Sequence, residues 1–207
     1  MQTPPYRIET ERLVLRCWQP TDASELKEAV DSSLEHLRPW MIWATGEPSS
    51  LDDTVALLRR FRGLFDTDQD FILGIFERDE SRVLGGSGLH TRHGPEALEI
   101  GYWLRVDAEG KGLASEATAA LTRAAFEVSG VDRVEIRIDP ANERSQRVPE
   151  RLGFTREAVL RRRLPGKLGS GDLRDAVVYS MFASDFPESP CASLEYRAFD
   201  AAGRPLG

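Results

Sequence analysis

Hydrophobic positions recur with period two in some stretches of this chain and at helical spacing in others. Residues 12–18 alternate and predict a first strand, closed by Pro20, Thr21 and Asp22. Asp22 with Glu25 three residues on predicts the start of a helix that runs to about Val30. Residues 36–43, HLRPWMIW, are aromatic, and Pro39 argues for a loop rather than a long helix. Ser49 and Ser50 precede a helix over residues 51–65, with Val55, Leu58, Phe61 and Phe65 on one face. Residues 70–77 and 83–90 predict strands joined by a hairpin turn at residues 78–81. Gly85 and Gly86 predict a bulge or a close backbone approach in the second strand. Residues 92–95 turn the chain into the next strand, where Leu98, Ile100, Tyr102 and Leu104 alternate with Glu99, Gly101 and Trp103. Ala114, Ala117, Leu121, Ala125 and Val128 then recur at helical spacing, and residues 133–138 predict another strand. The order β-α-α-β-β-β-α-β-α-β-β predicts an α/β fold in which helices cover a mixed sheet.

No repeat or linker interrupts the chain before about Pro187, so residues 1–185 read as one domain and residues 186–207 as a C-terminal extension. Within the extension, residues 194–199 alternate like one more strand. An added edge strand needs a neighbour, in the same sheet or in a second subunit. Two segments are charge-biased. Residues 47–80 hold nine acids against four arginines, and residues 156–174 hold six basic side chains against two acids. The glycine-rich loop at 165–171 is built to be mobile.

The junction between the strand at 98–104 and the helix after it carries the chemistry. The strand breaks at Asp107-Ala108-Glu109 and passes through Gly110-Lys111-Gly112 into the helix. Glycines let the backbone take positive φ and approach a ligand closely. The unpaired N–H groups of the first helical turn then suit a phosphate. Downstream come Asn142-x-x-Ser145 and Arg151-Leu152-Gly153-Phe154.

Together with the opening Glu9-Thr-Glu-Arg-Leu-Val-Leu-Arg16 and the strand Glu99-Ile-Gly-Tyr-Trp-Leu104, these motifs resemble the GNAT superfamily of N-acetyltransferases. Within it they resemble the ribosomal-protein N-acetyltransferase branch, over about residues 6–185. The resemblance implies a GNAT fold, whose central mixed sheet has a splayed middle strand flanked by helices. It implies acetyl-CoA as co-substrate, with the pantetheine arm along Ile100, Tyr102, Trp103 and Leu104. The pyrophosphate would lie on the amides of Gly110, Lys111, Gly112, Leu113 and Ala114, with Asn142 and Ser145 nearby. It further implies that Trp40 and Trp43 wall the acceptor groove, and that the branch commonly dimerises.

Two positions depart from the family pattern. Glu109 stands where the phosphate loop usually opens with Gln or Arg, which places a carboxylate beside the expected pyrophosphate. Pro149 stands where many members carry a tyrosine that gives a proton to the leaving thiolate. Ser145 is therefore the candidate donor to the sulfur. Glu99 and His90 are the candidates for taking the amine's proton, directly or through water.

Composition narrows the setting. The chain has 207 residues, 41% hydrophobic and 29% charged, enough for an α/β domain with a full core. A net charge of −7 argues against wholesale nucleic-acid binding. No apolar run approaches the ~18 residues of a membrane span, and the N-terminus lacks the pattern of a secretory signal. Cys17 and Cys191, far apart in sequence, read as reduced thiols of a cytoplasmic protein. His36, His90 and His93 show no metal-ligand spacing with them.

These features converge on acetyl transfer from acetyl-CoA to a primary amine, foremost the α-amine of a protein N-terminus. The same chemistry on a polyamine, amino acid or aminoglycoside is the nearest alternative, as is transfer of a larger acyl group. An alternative of another class is a weakly active acyl-CoA-binding regulatory module, which Glu109 and Pro149 favour.

Overall fold

A computed structural model gives the structure of the protein and describes residues 1–94, 96–166 and 171–206. Among them one ten-stranded sheet forms the centre. In chain order the elements are β1 (Arg7–Glu9), β2 (Leu13–Cys17), α1 (Ala23–Asp31), α2 (Leu34–Leu37), α3 (Leu51–Asp66), β3 (Phe71–Glu77), β4 (Val83–His90) and β5 (Ala97–Leu104). They continue as α4 (Leu113–Ala124), β6 (Arg133–Ile138), α5 (Glu143–Arg151), β7 (Thr155–Pro165), β8 (Leu173–Phe182), β9 (Arg197–Phe199) and β10 (Pro205–Leu206).

The strands lie in the order β10-β9-β1-β2-β3-β4-β5-β6-β8-β7. Every pairing is antiparallel except β5 with β6. That parallel pair covers Ala97↔Arg133, Leu98↔Val134 and Glu99↔Glu135 and then stops. Beyond it β5 stays with β4 out to Leu104, while β6 stays with β8 out to Ile138. The sheet therefore opens into a wedge beside residues 100–104 of β5, the splayed strand that the family resemblance implies.

Alternation sorts the side chains to two faces. On one face Leu98, Ile100, Leu104, Val134 and Ile136 pack with Leu113, Ala117, Ala120 and Leu121 of α4 and Val148 of α5. On the other, Val14, Phe76 and Val83 pack with Ala23, Leu26 and Ala29 of α1 and Leu58 of α3. Burying each such Leu, Val or Phe contributes about 1.5–3 kcal/mol, which is what holds the two helix layers to the sheet.

Local signals explain several boundaries. The Ser50 hydroxyl accepts from Asp53 N at 3.1 Å, and the Asp53 carboxylate accepts from Ser50 N, a reciprocal cap for α3. Asp22 is the N-cap residue of α1, as expected, but its side chain makes no capping bond to that helix. Its carboxylate takes Gln19 N and the Arg16 guanidinium, closing a 3-10 turn at Pro20–Asp22. The aromatic segment at 36–43 is not wholly loop: it overlaps the short α2 and a 3-10 turn at Ile42–Gly46. Gly85 sits where both expectations hold. The β3–β4 register shifts at Ile75/Phe76, and a Cβ on Gly85 would lie 2.1 Å from the Trp103 carbonyl oxygen.

Most of the basic segment at 156–174 lies on strands: Arg156, Arg161, Arg162 and Arg163 on β7 and Arg174 on β8. The expected mobile loop at 165–171 falls mainly on residues 167–170, outside the described residues. The extension supplies two strands where one was expected. β9 pairs antiparallel with β1, and β10 with β9, so the tail joins the main sheet within the chain.

Candidate active site

The glycine turn forms as expected. Gly110 and Gly112 have φ of 73° and 78°, in the left-handed region that favours glycine. Gly112 is the N-cap of α4, and no side chain caps that end. Arg12 braces the turn: Nη1 donates to the Lys111 carbonyl at 2.8 Å, and Nε donates to Glu116 at 2.6 Å. Thr10 Oγ1 donates to the same carboxylate at 2.6 Å. Thr10 and Arg12 of the opening motif thus clamp the first turn of α4, a link of about a hundred positions that periodicity cannot show.

Glu109, which looked unfavourable beside a phosphate, is held. One carboxylate oxygen meets His36 Nε2 at 2.8 Å and the other meets Arg144 Nη1 at 2.7 Å. Its charge is paired before any ligand arrives.

Asn142 caps α5, its Oδ1 accepting from Ser145 N at 3.1 Å. Pro149 lies inside this helix and has no N–H, so the Ser145 carbonyl four residues back lacks its helical donor. Tyr102 of β5 supplies one. The phenol O–H donates to the Ser145 carbonyl at 2.9 Å, and Ser145 Oγ donates to the phenol oxygen at 3.0 Å. Burial pushes the Tyr102 phenol well above the ordinary tyrosine range, against a smaller pull downward from the Ser145 hydrogen bond. The phenol therefore keeps its proton. Sequence reasoning placed Tyr102 only along the cofactor strand. The missing N–H at Pro149 was the available signal for its hydroxyl.

The other face of β5 carries the ionisable groups. Glu99 and His90 are cross-strand partners in the β4–β5 register. Glu99 is buried, with Arg92 Nη1 at 2.8 Å on one oxygen and His93 Nε2 at 2.6 Å on the other. Glu135, also buried, faces it across the last β5–β6 pair and binds Arg137 at 3.1 Å. His90 Nδ1 lies 2.8 Å from Asp70 Oδ1. Its ring covers Gly88 and reaches toward Gly101, where an added Cβ would sit 3.5 Å from Nε2. Asp70 went unnoticed because its partner is twenty residues away.

Trp103 shares that face, its indole lying over Gly86 and meeting Trp43 edge-on at 5.5 Å between centroids. Trp40 lines a separate cleft of about 300 Å³ with Asn142, Arg144 and Arg147. Arg174 fastens this aromatic loop to β8 by donating to the Pro39 and Trp40 carbonyls at 3.1 and 3.3 Å. A larger groove of about 1300 Å³ runs between α4 and the tail, bordered by Gly112, Arg123 and Tyr196. Neither Ser145 nor Glu99 lines it, so this groove is separate from the candidate catalytic residues.

Among the described residues no group of His, Cys, Asp and Glu is placed to hold a metal ion, and no helix is long and apolar enough to cross a membrane. Cys17 and Cys191 are free, buried thiols.

The family described as "Acetyltransferase (GNAT) domain" matches residues 12–155. Among curated relatives is a provisionally assigned ribosomal N-acetyltransferase of Bacillus subtilis (strain 168), YdaF. It is 30% identical over 178 residues, covering 85% of this chain and 94% of that protein. The [Ribosomal protein uS5]-alanine N-acetyltransferase of Escherichia coli (strain K12) is 27% identical over 188 residues, covering 88% and 94%. The crystal structure of the microcin C7 self-immunity acetyltransferase MccE, in complex with acetyl-CoA and AMP, superposes with a TM-score of 0.75. It covers 83% of this chain and 93% of that one at 22% identity, a likeness of fold.

Proposed function

This chain belongs to the GNAT family of acetyltransferases, and on that ground we propose that it transfers an acetyl group from acetyl-CoA to the α-amine of a protein N-terminus. The observation that carries this reading is the wedge. It lies between a glycine turn into a helix start and a pair of hydroxyls, with an imidazole and a carboxylate on the opposite face. The amides of Gly110, Lys111, Gly112, Leu113 and Ala114 suit the pyrophosphate. The open side of β5 from Ile100 to Leu104 suits the pantetheine arm, near Asn142.

In the reaction a C–N bond forms at the thioester carbonyl, the C–S bond breaks, the amine loses a proton and the sulfur gains one. Ser145 faces the sulfur's side and stabilises the thiolate once its hydroxyl turns from the Tyr102 oxygen, while the Tyr102 phenol keeps hold of the Ser145 carbonyl. An ordinary thiol pKa of about 8.5 makes that a modest demand. Glu99 and His90 lie on the side from which the amine approaches, past Trp103 and Trp43, while Trp40 lines the separate cleft beside Asn142 and Arg144.

The acceptor class follows from proton chemistry and from relatives. An α-amine with a pKa near 8 is neutral for roughly one molecule in ten at pH 7, whereas a lysine near 10.4 is neutral for about one in 2,500. The Escherichia coli relative is named for an alanine of a ribosomal protein. The free thiols fit a cytoplasmic setting. The tail strand pairs within the chain, so a homodimer would need a joint other than β9.

Thiol release from acetyl-CoA, measured with a panel of N-terminal peptides, polyamines, amino acids and aminoglycosides, tests the reading. Peptides are expected to be the best acceptors. Release with small amines alone would redirect the acceptor, and acetyl-CoA binding without thiol release would mark a binding module.

A further inference from the structure

We propose that His90 takes the acceptor amine's proton and that Asp70 is the positioning residue that fixes its imidazole for the task. The inference rests on the acyl-transfer reading and specifies its proton acceptor. Asp70 stands one residue before β3, next to the Phe71↔Leu89 pair, so it meets His90 across the sheet. With Nδ1 2.8 Å from the carboxylate, the hydrogen sits on Nδ1 and the lone pair on Nε2. Nε2 points along the sheet toward Gly101, two residues past the last β5–β6 pair and therefore beside the opening. Glycine is required beneath the ring, because a Cβ on Gly88 would lie 2.9 Å from Nε2.

The rival groups are engaged. Both oxygens of Glu99 carry partners, Arg92 and His93. His93 Nε2 is committed to Glu99, and its Nδ1 lies 3.4 Å from Arg137. His36 Nε2 is committed to Glu109. The charged groups around His90 are Asp70 before β3, Glu99 opposite it on β5, and Arg92 just past the end of β4. In the step itself Nε2 gains the proton as the amine nitrogen bonds to the thioester carbonyl, and the sulfur leaves as thiolate toward Ser145.

A neutral imidazole has one N–H, and removing the Asp70 carboxylate removes what fixes that hydrogen on Nδ1. The test is kcat and KM for an N-terminal peptide and for acetyl-CoA in wild type, Asp70→Asn, Asp70→Glu and His90→Gln, together with the nitrogen-NMR tautomer signature of the His90 ring in the free protein. Asp70→Asn is expected to lower kcat about tenfold, with KM for acetyl-CoA within a few-fold. It should also turn the ring from the Nδ1–H toward the Nε2–H tautomer without any substrate, which a merely structural Asp70 would not produce. Asp70→Glu should restore much of the rate and the Nδ1–H signature, and His90→Gln should lose at least as much rate as Asp70→Asn. An unchanged rate and an unchanged tautomer in Asp70→Asn would overturn the inference, as would a wild-type rate in His90→Gln. A wild type that releases no thiol with any amine would defeat the acyl-transfer reading itself, and this role with it.

Discussion

At the scale of single residues, the site turns on a substitution that looked disabling. Pro149 cannot donate a hydrogen bond, and the carbonyl it leaves open draws in the Tyr102 phenol, which in turn receives Ser145 Oγ. Ser145→Ala should lower kcat ten- to a hundredfold, about 1.4–2.7 kcal/mol, with KM for acetyl-CoA within a few-fold. Steady-state kinetics at saturating acceptor would show it, and a wild-type rate would reduce Ser145 to a member of the helix cap. Because burial raises the Tyr102 phenol above its usual range, the rate should not fall as pH rises through the ordinary phenol range near 10. Gly112→Asp should abolish acetyl-CoA binding by calorimetry. It forces a side chain onto a φ of 78° and adds negative charge at the anion site. Gly110, Gly112, Asn142 and Ser145 were legible in the sequence because each has a local signature. Arg12, Glu116 and Asp70 were not, because their roles come from partners that only the folded sheet brings close.

At the scale of elements, alternation and capping located β3, β4, β5 and β6 well. The misses have physical reasons. β1 is three residues and β10 two, too short to display a period. β7, counted in the expected order but given no bounds, is an outer strand with mostly exposed positions, and its arginines mask the alternation that a half-buried strand shows. The tail docks through Ala198 and Cys191, both buried, and through the cluster of Glu9 with Arg7, Arg78 and Arg197. Removing residues after Asp185 uncovers the edge of β1 and should lower the melting temperature; an unchanged melt would show that the tail adds no stability. Burial pulls the Glu9 carboxyl upward, but its arginine partners outweigh this and hold it below the usual glutamate range. A lowered folded pKa stabilises above the unfolded pKa and loses that stabilisation as pH falls through the folded one. Protection factors of the β9 amides should therefore be high near neutrality and fall as pH drops below the ordinary glutamate range, ahead of those of the central strands.

At the scale of the whole molecule, the sheet divides the labour. In the proposed reaction one face of β5 offers Ser145, backed by Tyr102, to the leaving sulfur, and the other offers His90, Glu99 and the tryptophan-lined approach to the incoming amine. The wedge after Glu99 and Glu135 opens between them. Its cause is topological: β6 turns to β8 while β5 holds to β4, leaving one side of β5 without a strand partner. The central claim is that the acetyl group of acetyl-CoA ends on a protein N-terminal α-amine. The most direct measurement incubates the protein with acetyl-CoA and peptides that carry both a free N-terminus and an internal lysine, then locates the acetyl group by fragmentation mass spectrometry. The account predicts acetylation at the N-terminal nitrogen with the lysine unmodified. Acetylation of the lysine, or peptides left unmodified while small amines are acetylated, would contradict it.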